Sequence, residues 1–273
     1  MLHLIKDIYF SSEPIGSAAD RHRHNVYQMI CVTEGTLTCE IAGNRIDCAA
    51  PSILFIGNNE PHILSVSTER YERCVLTLDP YGVGEYVKPS FLQTVFSFHP
   101  VGFTHVVDIG DAADEILHML RALLRETELP PTERTLEGEA LLLSALLYRV
   151  YRISPSSFSM KRFGMVEMVV SSVRMELECD FAQPLDLREL ADRYHVSRYY
   201  LSHAFKQITG YSLKEYLTLS RISYACQLLS GDTASVREIA EASGFHDVSN
   251  FSRSFKSVTG MTPSEYRKKT VLT

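Results

Sequence analysis

One block of sequence occurs twice, and that repeat constrains the fold more than any other feature. Phe205-Lys-Gln-Ile-Thr-Gly-Tyr-Ser-Leu-Lys-Glu-Tyr216 reappears fifty residues later as Phe255-Lys-Ser-Val-Thr-Gly-Met-Thr-Pro-Ser-Glu-Tyr266. Upstream, Arg188-Glu-Leu-Ala191 matches Arg237-Glu-Ile-Ala240 in a register one residue shorter. A one-residue difference fits inside a turn, so one supersecondary unit is duplicated. Each copy opens on an N-cap signature, Asp186-x-x-Glu189 and Ser235-x-x-Glu238, in which the cap side chain accepts from a free backbone N–H and the Glu reaches back. A short helix follows, with Leu187, Leu190 and Ala191 inward in one copy and Val236, Ile239 and Ala240 in the other. A tight turn comes next. It holds His195 in the first copy and Gly244 in the second, both residue types that enter positive φ. A second helix buries Leu201, Ala204, Phe205 and Ile208, or Phe251, Ser254, Phe255 and Val258. Two short helices around a tight turn make a helix-turn-helix. Each copy then starts a further helix at a cap, Ser212-x-x-Glu215 and Thr262-Pro-Ser-Glu265, the latter with Pro at its favoured first position.

The faces left outside the buried stripes are polar and of matching character. They expose Tyr199, Ser202, His203 and Lys206 in the first copy, and Ser249, Asn250, Ser252, Arg253 and Lys256 in the second. Arg, Asn, Ser and His can address base edges and phosphates, and Lys pairs with phosphate. Neither face carries Glu, although Asp247 sits at the start of the second. Two such units place two reading helices about one DNA turn apart, ~34 Å, so that both enter successive major grooves from one side. The net charge of −6 opposes this reading only as a chain average. Residues 1–160 carry 12 basic and 20 acidic side chains, whereas residues 161–273 carry 15 and 13. The acidity belongs to the N-terminal part. The modest excess of positive charge in the C-terminal part implies binding through local contacts and dimerisation, with limited salt-driven background.

The segment Gly244-Phe-x-Asp-x-Ser-x-Phe-Ser-Arg-x-Phe-Lys-x-x-Thr-Gly-x-Thr-Pro-x-Glu-Tyr-Arg267 resembles the signature of the AraC/XylS family of bacterial transcription regulators, and the resemblance extends from Met165 to Arg267. It implies that the second helix of each unit reads bases and that a linker helix, from Leu213 to about Leu229, joins the units. Carried over by position, the DNA-binding set is Arg198, Tyr199, Ser202, His203 and Lys206 in the first unit, and Ser249, Asn250, Arg253 and Lys256 in the second. His203 stands where the family often has a longer basic or amide side chain. Promoter DNA and RNA polymerase are the partners the resemblance implies, with activation as the mode of regulation.

The N-terminal part reads differently. Val26-Tyr-Gln-Met-Ile-Cys-Val-Thr, Thr36-Leu-Thr-Cys-Glu-Ile and Cys74-Val-Leu-Thr-Leu are short strands separated by turn signals at Glu34-Gly35 and Ala42-Gly43-Asn44. Gly16-x5-His22-x-His24-x3-Gln28-x6-Gly35 resembles the first motif of the cupin barrel, with Gln28 in place of the usual Glu; the second motif keeps only its histidine, His62. His22, His24 and Gln28 share a strand parity and hence a face. Three readings follow for His22, His24, Gln28 and His62: hydrogen-bonding to a small organic effector, holding a divalent metal through the three histidines, or a structural role. Losing the carboxylate weakens cation binding. It also breaks the two-histidine, one-carboxylate set that non-haem iron chemistry needs, so a cupin enzyme fused to a DNA-binding domain is the remote alternative.

From Asp111 the period becomes helical: Ile116, Leu117, Leu120 and Leu124 form one stripe, and Leu141, Leu142, Ala145, Leu146 and Val150 another. The second stripe is wide enough to suggest a subunit contact through Leu142 and Leu146. Ile153-Ser-Pro-Ser-Ser-Phe-Ser-Met160 reads as a linker. The expected architecture is multidomain α+β. A cupin-like β-barrel spans residues 1–110, a helical dimerisation segment 111–152 and a linker 153–162. An all-α domain of two helix-turn-helix units joined by a linker helix spans 163–273. The six cysteines are scattered without a C-x-x-C pair and no signal peptide is legible, so reduced thiols and a cytoplasmic setting are expected. The chain is expected to work as a homodimer, away from membranes and without a required cofactor.

Overall fold

The computed structural model describes residues 4–13, 24, 26–41, 43–58, 60–66, 68–97, 103–130, 135–158, 165–231 and 234–271. The chain divides into two compact domains, Met1–Lys161 and Arg162–Thr273.

In the N-terminal domain the strands are β1 (Ile5–Ser11), β2 (Tyr27–Glu34), β3 (Thr36–Ile41), β4 (Asn44–Ala49), β5 (Ser52–Ile56), β6 (His62–Val66), β7 (Glu72–Leu78) and β8 (Val106–Asp108). They form two antiparallel sheets, ordered β1-β7-β2-β5-β8 and β4-β3-β6. Strand alternation explains the layering. On β2, Ile30 and Val32 point between the two sheets, joining Leu37, Cys39, Ile41, Leu54, Ile56, Leu64 and Val75. Tyr27, Met29 and Cys31 point the other way, onto helices. β5, covered on both faces, is buried at every position.

The helices of this domain are α1 (Pro80–Tyr86), α2 (Thr94–Ser97), α3 (Ala113–Thr127) and α4 (Leu136–Ile153). Ile116, Leu120 and Leu123 of α3 and Leu143, Leu146, Leu147 and Val150 of α4 complete the outer core. Within it, buried Glu139 of α4 accepts from the backbone N–H of Ile5 at 2.8 Å and so staples β1 to the helix. Strand β1 and the segment carrying α1 and α2 were not read from the sequence.

Two expectations are corrected here. Leu146 is fully buried and Leu142 packs against the same core, in which α4 meets α3, α1 and the 3-10 turn over Ser90–Gln93. The large apolar side chains of α4 that are exposed are Leu141, at 73%, and Tyr148, at 48%, with Ala145 exposed between them. The stretch from Ile153 is not linker throughout. A 3-10 turn over Pro155–Ser157 follows α4, and Phe158 inserts into the core against Tyr151 at 5.7 Å between ring centroids. The aromatic side chain finds apolar cover that the surrounding serines do not advertise.

The C-terminal domain comprises α5 (Met165–Cys179), α6 (Leu187–Arg193), α7 (Arg198–Thr209), α8 (Leu213–Gly231), α9 (Val236–Ala242), α10 (Val248–Thr259) and α11 (Pro263–Val271). It holds two separate cores. α5, α6, α7 and the start of α8 share Val173, Leu190, Leu201, Phe205 and Leu217. The end of α8 shares Ile222, Ala225, Leu229, Ile239, Phe251 and Phe255 with α9 and α10. α8 is the expected linker helix. Ile208, expected in the buried stripe of α7, is 36% exposed.

Candidate nucleic-acid interface

The duplication is visible in the backbone chemistry. His195 sits at φ 55 and Gly244 at φ 78, in equivalent turns. Ser197 caps α7 by accepting from the Tyr200 N–H. Asp247 caps α10 by accepting from Ser249 and Asn250, which accounts for a carboxylate beside an otherwise basic face. Both helices end at left-handed glycines, Gly210 and Gly260, whose N–H groups reach the carbonyls of Lys206 and Lys256. Thr209 and Thr259 then donate to the carbonyls of Phe205 and Phe255 in the same way.

These frames fix what each helix presents. On α7, Arg198, Tyr199, His203 and Lys206 are exposed and Ser202 is half-buried. Tyr199 is 82% exposed, with its ring 6.2 Å from that of His203 in a stacked arrangement. On α10, Ser249, Asn250, Arg253 and Lys256 are exposed, and Arg253 Nε donates to the Ser249 carbonyl at 3.4 Å. A groove of about 770 Å³ runs between α10 and α8, lined by Asn250 and Arg253 on one side and Lys214 and Thr218 on the other. Sequence reasoning passed over Lys214 and Thr218; their spacing of four on α8, in line with the groove, is the signal that could have found them.

In the N-terminal domain, His24 and His62 meet with ring centroids 4.9 Å apart, edge to face. His24 Nδ1 donates to the Val26 carbonyl at 3.1 Å and His62 Nδ1 to that of Glu60 at 2.9 Å, which turns each Nε2 away from the backbone. Gln28 lies on the inward parity of Ile30 and Val32, with its amide oxygen buried. His22 lies outside the described residues. Two groups the sequence did not mark stand beside the cluster. Glu60 accepts from the Gly57 N–H at 2.8 Å and has its other oxygen 3.7 Å from His105 Nε2. Burial, and secondarily Glu60, pushes the Cys39 thiol up to about 12. Among the described residues no three His, Cys, Asp or Glu side chains form a metal-holding group.

Residues 8–150 match the model of an AraC-like ligand-binding domain, just over half the chain, and residues 190–269 match a helix-turn-helix domain. The chain belongs to the AraC family of transcription regulators. Among its relatives in that family is the transcriptional activator RhaR of Pectobacterium atrosepticum, 31% identical over 161 residues that cover 59% of this chain and 55% of RhaR. The uncharacterized regulator YijO of Escherichia coli is 29% identical over 53% of this chain and 50% of its own. The chain thus spans about half the length of these curated relatives. The activator RhaS of Yersinia pestis aligns over 98% of both chains at 23% identity. The apo form of a ToxT variant from Vibrio cholerae superposes with a TM-score of 0.61 over 97% of this chain and 98% of its own, at 17% identity, a likeness of fold. Wild-type ToxT has also been solved with a bound unsaturated fatty acid, at a TM-score of 0.58 and 18% identity over 98% of this chain and 97% of its own. No helix among the described residues is long and apolar enough to cross a membrane.

Proposed function

We propose that this chain activates transcription from a promoter that it binds as a homodimer, in response to a small organic effector held by its N-terminal domain. The observation that carries the DNA reading is the pair of identically framed helices, α7 and α10, presenting Arg198, Tyr199, Ser202, His203 and Lys206 on one and Ser249, Asn250, Arg253 and Lys256 on the other. The working division is a sensing barrel to about residue 110, helices continuing to Phe158, and a DNA-binding domain from about residue 163. RNA polymerase is the partner of an activator, the site of action is the cytoplasm, and no catalysis is assigned.

His24, Gln28 and His62 support an effector site, with His22 as the fourth member of the set. Imidazoles and an amide can each donate and accept hydrogen bonds, which suits a polar organic group. ToxT takes a fatty acid, and an organic ligand is the corresponding reading here. Effector binding acts by favouring one of two pre-existing presentations of the DNA-binding domains. The subunit contact is better supported at Leu141, Ala145 and Tyr148, an exposed stripe of α4 flanked by Glu137 and Arg152, than at Leu142 and Leu146. Run antiparallel against a second copy, that stripe would set Glu137 opposite Arg152.

The test is selection of DNA by the full-length protein, followed by footprinting. Two protected major grooves on one side of the duplex are expected, and absence of any enriched sequence would sink the reading. In the same assay, His24→Ala with His62→Ala should abolish effector response while leaving basal binding. Leu141→Glu should give monomers in sedimentation.

A further inference from the structure

We infer that the loop between α5 and α6, residues 180–185, is a strut that fixes the spacing of the two reading helices, and that Arg221 is its positioning residue. The inference rests on the DNA-binding reading and adds a determinant of specificity that touches no base. The two helix-turn-helix cores are separate apolar clusters, linked through the single helix α8. Leu217 is the last α8 residue in the first core and Ile222 the first in the second, with buried Leu219 and Ser220 between them, so α8 passes from one core to the other over a single turn. The strut crosses at that point. Arg221 Nε donates to the Phe181 carbonyl at 2.6 Å and Arg221 Nη2 to the Gln183 carbonyl at 2.7 Å. The same guanidinium lies 5.6 Å from the centroid of the Phe245 ring, in the second helix-turn-helix. Phe181 packs on Tyr224 of α8 with ring centroids 4.7 Å apart. Ala182 meets the turn of the second helix-turn-helix so closely that a Cβ on Gly244 would stand 2.7 Å from its Cα and carbonyl oxygen.

A loop that precedes the first helix-turn-helix is thus seated on the turn of the second, and one planar cation holds loop, linker helix and second copy together. Guanidinium geometry suits this role, since one rigid fork can satisfy two carbonyls while its face covers a ring. The spacing matters because two grooves on one side of DNA recur at ~34 Å, and one extra base pair changes both separation and rotation.

The experiment takes the bipartite site that full-length protein selects from random DNA and inserts one base pair between its two elements. Wild type is expected to lose about 30-fold in affinity on insertion, within the range of a mismatched site. Arg221→Met, which keeps the aliphatic stem, should bind the original site about tenfold more weakly and show an insertion penalty of only about threefold. Arg221→Lys should fall between, because an ammonium lacks the fork. A variant that loses affinity equally for both sites, with the wild-type insertion penalty intact, overturns the strut. Should Arg221→Met fail to fold, Arg221→Lys carries the comparison with the same two outcomes. Failure of wild type to select any site tells against DNA binding itself, a result distinct from an unchanged insertion penalty.

Discussion

The first helix-turn-helix unit turns on His195 at φ 55, whereas the second turns on Gly244 at φ 78 with Ala182 pressed against it. The first is braced from α5: Tyr194 donates to Glu176 at 2.9 Å, Arg193 pairs with Glu176 at 3.2 Å, Arg174 lies 3.4 Å from Glu178, and Tyr216 donates to the buried Glu178. The second is braced from α11, where Arg267 donates to the Ala234 carbonyl and Tyr266 meets Phe255 edge to face. Their caps and left-handed endings coincide, yet their supports and surfaces do not. Backbone hydrogen-bonding problems at helix ends have few solutions, so both copies use the same ones. What surrounds those ends is free to differ, and the faces differ accordingly: α7 adds the rings of Tyr199 and His203 to Arg198, whereas α10 carries Asn250 and Arg253 with no ring on that face.

The largest expected contrast lies in the turns. Gly244→Ala must place a Cβ both at positive φ and against the Ala182 backbone, and should cost the second unit about 3 kcal/mol, seen as faster hydrogen exchange in α9 and α10. His195→Gly should do the opposite in the first unit, neutral to stabilising by about 1 kcal/mol, because it relieves left-handed strain at some entropic cost. Equal losses from the two substitutions would remove the distinction. Next come the reading faces. Arg253→Ala should weaken binding to the selected DNA by about 1–3 kcal/mol if it reads a base, and His203→Ala by about half as much. A larger effect at His203 in titrations would reverse the ranking of the two units.

Cap removal should be smaller and nearly equal in both copies. Ser235 and Glu238 form a reciprocal capping box, whereas Asp186 accepts from two backbone N–H groups, so Ser235→Ala and Asp186→Ala should each cost about 1 kcal/mol in urea denaturation. The smallest effect is shared. The Glu215 carboxyl is held below its ordinary 4.5 chiefly by the Ser212 hydroxyl, and that of Glu265 chiefly by the Thr262 backbone N–H. A carboxylate held low stabilises the folded state above its unfolded pKa, and that contribution disappears as pH falls through the folded value. Both caps should therefore weaken below about pH 4.5. Ser212→Ala should flatten that acid limb in thermal melts, and Thr262→Ala should flatten it less, because the Thr262 backbone N–H that chiefly holds Glu265 remains.

The C-terminal domain was legible because its signals are local. Asp186, Ser212, Ser235, Thr262, Gly244 and Pro263 each act within a few residues of where they stand, and all sit at the helix ends and turn read from the sequence. Ile208 was misjudged because periodicity gives the face of a helix but not how far its neighbour extends. The N-terminal domain was less legible. β1 hides because its register shifts between Ile5 and Asp7, so Ile5 and Ile8 are both buried despite a spacing of three. Leu141 and Leu146 look alike in sequence, and only the packing of α4 against α3 and α1 decides that the first is exposed and the second buried. Glu60 and His105 sit 45 residues apart in the chain and meet only through the fold, so no motif could have joined them.

Ala182 beneath Gly244 has a practical meaning for anyone recombining such proteins. The second copy of the repeat borrows its floor from a loop that precedes the first copy. A cut through α8 therefore separates a helix-turn-helix from the surface it rests on. Chimeras should take residues 180–185 and the Gly244 turn from the same parent, and a crossover placed upstream of α5 meets that condition. The two copies arose as equals in sequence, but they can no longer be exchanged one at a time.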